Sequence, residues 1–84
     1  MPANSAPINQ SELHAALHSL VEALFQHQVD LEFAKTQLEA RYIHKVLERH
    51  NGNISQSART LGIHRNTLAK RIRDLDVKWT PSEP

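Results

Sequence analysis

The sequence has 84 residues, two glycines, no cysteine and a formal net charge of +1, and its many Leu, Ala, Glu, Gln, Lys and Arg residues predict an all-α fold. A chain this short buries only about 60% of its unfolded surface, and without cysteine it has neither a disulfide framework nor a thiolate zinc site, so we expect oligomerisation to add stability. No apolar run approaches the ~18 residues of a membrane span and no secretory signal is evident, so we expect a cytoplasmic protein.

The charge is unevenly distributed along the chain. Residues 1–42 contain two basic and five acidic residues, a net charge of −3, whereas residues 43–84 contain eight basic and four acidic ones, a net charge of +4. Residues 59–73 hold five basic residues and no acidic one. The C-terminal half is therefore suited to contact phosphate, and the N-terminal half is not.

The first predicted helix follows a flexible arm, residues 1–8, that contains two prolines. It begins near Asn9 or Ser11, because Asn9 with Glu12 three residues later fits a capping box. Its main apolar residues recur at helical spacing and form one face. We predict that this face takes part in a dimer interface through Leu13, Leu17, Leu20 and Leu24.

A possible metal-ligand spacing occurs on the flank of this helix, where His14, His18 and Glu22 follow one another at four-residue steps. A metal site needs a third or fourth converging protein ligand, and none is placed to supply it. We interpret the three residues as a solvated helix edge and predict neither a metal nor a cofactor.

The second predicted helix runs from an N-cap at Asp30 to about His50, uninterrupted by Gly or Pro. At 100° per residue its apolar residues fall on two nearly opposite faces. One face comprises Leu31, Ala34, Leu38, Tyr42 and Val46, and the other comprises Phe33, Ala40, Ile43 and Leu47. A helix apolar on two faces should be covered on both, so we assign Leu31, Leu38 and Tyr42 to the dimer interface.

A short third helix is predicted after the Asn51–Gly52 turn, where glycine can adopt a left-handed conformation without steric cost. Asn53 and Ser55 are its candidate N-caps, and the helix starts at Ser55 or Gln56 and ends at Leu61. The next residue, Gly62, terminates it.

The fourth predicted helix extends from about Arg65 to Leu75 and carries an apolar row of Leu68, Ile72 and Leu75. Ala58, four residues before Gly62, allows the third and fourth helices to approach closely. Two short helices joined by a tight glycine-containing turn form the layout of a helix-turn-helix.

The face of the fourth helix opposite its apolar row is polar and cationic. It presents Asn66, Lys70 and Arg73 with Arg65 beside them, while Thr67 and Arg71 lie on the other margin. Such a helix fits the DNA major groove, with its N-terminal residues against base edges and its later cations against phosphates. Arg65 could bind guanine in a bidentate manner, which is worth about 1–3 kcal/mol of discrimination. A solvated charged face is the alternative, but the turn spacing favours double-stranded DNA.

Residues 52–68, GNISQSARTLGIHRNTL, resemble the Fis-type helix-turn-helix, and the resemblance extends over roughly residues 31–77. It implies a homodimer whose N-terminal helices interlock and whose recognition helices enter successive major grooves. It also implies three groups of DNA contacts: phosphate at the turn before the motif, bases at the start of the recognition helix, and backbone at later basic residues. The corresponding residues are Asn53 and Ser55; His64, Arg65, Asn66 and Thr67; and Lys70, Arg71 and Arg73.

The chain departs from that family pattern at four positions. Fis has more basic residues where this sequence has Ala69, Asp74 and Asp76, and it has asparagine where this sequence has His64. We therefore expect weaker non-specific binding to flanking DNA.

Four regions follow from these patterns: a flexible arm (1–8), a helical dimerisation region (9–50), a helix-turn-helix (51–77) and a flexible tail (78–84), whose Trp79 we expect to pack back on the last helix. We predict a bacterial, homodimeric transcriptional regulator that binds specific double-stranded DNA in the nucleoid, with the transcription machinery as a further candidate partner. We expect it to be free-standing.

Two other functions remain open, namely a C-terminal DNA-binding module of a larger enhancer-binding activator or response regulator, and a helical protein–protein adaptor without DNA binding. An enzyme is the weakest alternative, because the sequence lacks a Gly-rich phosphate loop, a convergent carboxylate pair and a nucleophile beside a base.

Overall fold

Four α-helices follow one another in the computed structural model, which describes residues 10–79. They are α1 (Gln10–Gln26), α2 (Leu31–Arg49), α3 (Ile54–Leu61) and α4 (Arg65–Asp74). No strand occurs among the described residues, so the predicted all-α fold and the order of its helices are confirmed. The chain divides between Leu31 and Glu32 into two units, the first containing α1 and the second containing nearly all of α2 together with α3 and α4.

In the first unit, α1 presents an uncovered apolar face. None of its residues is buried, and its leucine row is close to half exposed, with 47% at Leu13, 48% at Leu17 and 40% at Leu20. Leu24 is half-buried. The predicted cap Asn9 and the arm 1–8 lie outside the described residues. The helix therefore leaves its leucine row open in a single copy of the chain.

The core of the second unit is contributed by all three of its helices. Ile43 and Leu47 come from α2, Ala58 from α3 and Leu68 from α4, and each is 3% exposed or less. A shell of half-buried apolar side chains packs around them: Ile54, Leu61, Ile63, Ile72, Leu75, Val77 and Trp79. The predicted apolar row of α4 thus faces this core, and burial of the small Ala58 accompanies the packing of α3 against α4.

The two apolar faces of α2 differ in burial. Its core face is buried around Ile43 and Leu47, although Phe33 near the start of that face is 57% exposed. The other face is buried only at Val46, and its remaining large side chains are exposed: Leu31 by 71%, Leu38 by 56% and Tyr42 by 57%. The residues assigned to dimerisation on this helix are therefore uncovered in one copy of the chain.

The turn between α2 and α3 contains two consecutive left-handed residues, Asn51 (φ 55°) and Gly52 (φ 79°). The Gly52 N–H donates to the Leu47 carbonyl over 2.8 Å, which closes the C-terminus of α2. The Trp79 ring lies against this glycine, and a Cβ placed there would approach the ring Cη2 and Cε3 atoms to 3.0 and 3.1 Å. Trp79, the second residue of the segment predicted to be a flexible tail, therefore packs against the core cluster.

The caps of α3 differ in one respect from the sequence-based expectation. Asn53 is the N-cap, and its Oδ1 accepts the N–H of Gln56 over 2.9 Å. Because α3 already begins at Ile54, Ser55 lies in its first turn and is not the cap, which corrects that alternative. Gly62 ends the helix with φ 72°, as predicted.

Candidate nucleic-acid interface

The connection between α3 and α4 consists of Gly62, Ile63 and His64. The Gly62 site is open, with no atom within 4 Å of a Cβ built there, so its left-handed φ rather than a lack of space favours glycine. Ile63 donates its N–H to the Ala58 carbonyl over 3.0 Å and packs against the core. This connection anchors the start of α4 to α3 and fixes which side of α4 faces solvent.

His64 caps α4. Its Nδ1 accepts the N–H of Asn66 over 3.1 Å, so that nitrogen is unprotonated in this arrangement and Nε2 carries the ring proton. A residue predicted to contact bases thus also satisfies one of the free N–H groups at the helix start. Its Nε2–H remains a donor for a base or a phosphate.

We expect His64→Ala to lower the free energy of unfolding by about 1 kcal/mol, because it removes the acceptor of the Asn66 N–H. His64→Asn should restore most of this stability, since asparagine is a strong N-cap. Urea denaturation of both variants measures the difference. Equal stability of the wild type and His64→Ala would show that the imidazole does not cap α4.

The predicted base-contacting residues are exposed together on the N-terminal part of α4. Arg65, Asn66 and Thr67 are all exposed, as is Arg73 near the other end, whereas Leu68 is fully buried. Within residues 10–79, the side chains of Arg65 and Arg73 make no hydrogen bond or ion pair. Both guanidinium groups are therefore open to an anionic partner.

Two of the three predicted backbone-contacting cations have partners within the chain. The Lys70 ammonium donates to Asp74 Oδ2 over 2.6 Å, one helical turn further along α4. Arg71 donates to the Glu39 carboxylate of α2, which ties α4 to α2. Sequence reasoning missed both contacts, although the i,i+4 spacing of Lys70 and Asp74 was a visible signal.

The electrostatic surroundings of Asp74 follow from its position beside these cations. The hydrogen bond from Lys70 lowers the pKa of the Asp74 carboxyl below its ordinary value, and desolvation opposes this shift. The positive charges of Lys70, Arg73 and Arg71 lower the pKa further. Asp74 is consequently a stable negative charge within a cationic surface.

The two residues predicted to contact phosphate near the start of α3, Asn53 and Ser55, are both exposed. Asn53 uses its side-chain oxygen for the cap, which leaves its amide NH₂ group free to donate. Nearby, His50 Nε2 lies 2.8 Å from Thr60 Oγ1 and connects the end of α2 to α3. This contact joins residues ten positions apart and was also missed from the sequence.

Neither a metal centre nor a membrane span is found in residues 10–79. No group of three or more His, Cys, Asp or Glu side chains converges there as metal ligands. None of the four helices combines the length and apolar character that crossing a bilayer requires.

Comparison with known protein families gives a match to part of the chain. The family model described as bacterial regulatory protein, Fis family, matches residues 36–75. The match takes in most of α2 and all of α3 and α4, and it ends at Leu75. No curated protein and no solved structure matches the chain significantly.

Proposed function

We propose, on the ground that the Fis family model matches residues 36–75, that the chain is a sequence-specific transcriptional regulator that binds double-stranded DNA as a homodimer. The observation that carries the proposal is the exposed face of α4. The guanidinium groups of Arg73 on this face and of Arg65 beside it are free, while Leu68 anchors α4 in the core. An anchored helix with a free cationic face has the form that the major groove admits.

Base recognition is assigned to the start of α4. Arg65, in the first turn, has the length and the planar donors needed to bind guanine O6 and N7. His64, Asn66 and Thr67 lie beside it and supply shorter polar groups. Backbone contacts are assigned to Arg73, Lys70 and Arg71, and to Asn53 and Ser55 at the start of α3.

Dimerisation is assigned to the open apolar faces of α1 and α2. A 17-residue helix with no buried side chain gains little stability by itself, because helices in water depend mostly on tertiary packing. A second copy of the chain would cover Leu13, Leu17, Leu20 and Leu24 of α1 together with Leu31, Leu38 and Tyr42 of α2. The acidic N-terminal half has the wrong charge to bind DNA, so its association with another copy leaves the basic half free for DNA.

The proposed recognition roles are tested by comparing Arg65→Ala with Arg73→Ala, two variants that lose the same charge from the same helix. We expect Arg65→Ala to reduce the preference for the target site by about 1–3 kcal/mol, roughly five- to more than a hundredfold. Arg73→Ala should weaken binding to all duplexes alike and lower the salt slope by about one.

The measurement uses a target duplex selected from a random pool, followed by titrations of target and scrambled duplexes over a salt series. Two half-sites at a fixed spacing in the selected pool would support the homodimer. Wild-type protein that binds no duplex, or whose binding does not weaken as salt rises, would contradict DNA binding and favour the adaptor. The opposite pattern in the two variants would contradict the assigned roles.

The proposed activity is binding, not catalysis, and its site of action is the bacterial nucleoid, where we expect contact with the transcription machinery. The same α4 chemistry would serve a DNA-binding module of a larger activator or response regulator. Selection of bound duplexes tests the DNA-binding step in either case.

A further inference from the structure

One acidic residue lies on the face of α4 that is proposed to meet DNA. Asp74 follows Lys70 by one turn, and their side chains form a 2.6 Å ion pair although they are 58% and 67% exposed. At 100° per residue, the two side chains and those of Asn66 and Arg73 all fall on the side of α4 opposite Leu68. This ion pair therefore involves a cation that is assigned to the DNA backbone.

This ion pair is poorly placed to stabilise the helix. A lysine that precedes its acidic partner by four residues is in the less favourable order for an α-helix. Asp74 also lies in the last turn, where the negative end of the helix dipole disfavours a carboxylate. Exposed pairs contribute little to stability in general. Loss of Asp74 should therefore leave the fold intact and act mainly on the charge of the surface.

We propose that Asp74 is an intramolecular competitor of the DNA backbone: it holds the Lys70 ammonium in the free protein and must release it when α4 enters the groove. This inference rests on the proposed DNA-binding function. Asp74 thereby acts as a positioning residue that sets the strength of sequence-independent binding. Because Lys70 is assigned to phosphate and not to a base, competition by Asp74 weakens binding to target and non-target duplexes equally.

The physical cost has two parts. The Lys70–Asp74 contact has to open before the ammonium can bind a phosphate, and the released carboxylate then faces the anionic backbone. An aspartate carboxyl is ionised near neutral pH, so this repulsion is present there. Each phosphate contact contributes about 0.9 to the slope of log affinity against log salt, so an occupied Lys70 should flatten that slope.

The test compares Asp74→Asn with a matched control, Asp76→Asn. Asp76 also pairs with a lysine, with its Oδ2 3.3 Å from Lys78 Nζ, but it lies beyond the end of α4. Its φ of 54° suits asparagine, which tolerates the left-handed region. Both variants change the net charge by the same amount, so a general charge effect would appear equally in both.

We expect Asp74→Asn to tighten binding to target and scrambled duplexes by the same factor, about three- to tenfold near physiological salt, and to raise the salt slope by about one. Asp76→Asn should change affinity less than twofold. A third variant, Lys70→Gln, separates release of the lysine from repulsion: Asp74→Asn should have a clearly smaller effect in the Lys70→Gln background, because only the repulsion between the carboxylate and the DNA backbone remains there.

The possible outcomes separate this inference from the proposed function. Wild-type protein that binds no duplex overturns both. If the wild type binds DNA but Asp74→Asn leaves affinity and slope unchanged, or Asp76→Asn has an equal effect, the inference alone is wrong. If Asp74→Asn has its full effect in the Lys70→Gln background, the inference is likewise wrong. Circular dichroism of all variants checks that α4 remains folded.

Discussion

Replacing Leu20 and Leu24 together by serine is expected to convert the proposed dimer into monomers that unfold at a lower urea concentration. Burial of a leucine side chain contributes about 1.5–3 kcal/mol, and a symmetric dimer loses four such side chains. The leucines are partly covered already, Leu20 being 40% exposed, so only part of this energy depends on the partner. Even ~3 kcal/mol would weaken the dimer more than a hundredfold.

The matched control for that variant is the replacement of His14 and His18 by serine on the exposed flank of the same helix. Sedimentation velocity over a range of protein concentrations measures the oligomeric state, and urea denaturation measures the stability. We expect the histidine variant to behave as the wild type in both. A leucine variant that remains a dimer, or forms a monomer as stable as the wild type, would show that α1 is not the interface.

Gly52→Ala is expected to destabilise the second unit by about 2–4 kcal/mol, more than Gly62→Ala, for which about 1–2 kcal/mol is expected. Both glycines have a left-handed φ, 79° and 72°, so both variants incur the same kind of backbone strain. Only at Gly52 does a Cβ also collide with the Trp79 ring, since the Gly62 site is open. The difference between the two variants therefore isolates the contact with Trp79.

The sole tryptophan provides an independent measurement of this contact. Gly52→Ala should displace the half-buried Trp79 ring and shift its fluorescence emission to longer wavelength, whereas Gly62→Ala should not. In a Trp79→Ala background the cost of Gly52→Ala should fall to that of Gly62→Ala, because the obstructing ring is gone. Equal destabilisation and unchanged emission in both glycine variants would contradict the packing of Trp79 over Gly52.

Most of the fold could be predicted from the sequence because its signals are local. The four helix positions follow from apolar spacing and from the residues that interrupt it, notably Asn53 as a cap and Gly62 as a terminator. The error at Ser55 arose from the same source, since serine and asparagine are nearly equivalent N-caps and local preference could not choose between them. The distance of 2.9 Å between Gln56 N and Asn53 Oδ1 decides in favour of asparagine.

The positions of the side chains in the candidate site could be predicted, but not which of its cations are already paired within the chain. Helical periodicity placed Lys70 and Arg73 on the face of α4 opposite the buried Leu68, with Arg65 beside that face. Periodicity alone does not say which cations are already paired. Of these three, only Lys70 is paired, and its partner is the carboxylate that interrupts the cationic surface.

The sequence by itself determined the all-α fold, the helix-turn-helix and the exposed face of its last helix, because caps, turns and the 3.6-residue period act over a few neighbouring residues. Only the tertiary structure revealed the contacts of Glu39 with Arg71, His50 with Thr60 and Trp79 with Gly52. Their partners lie between 10 and 32 positions apart. Contacts of that range depend on how helices pack against one another, and packing responds to the shape and volume of the whole core rather than to any local preference.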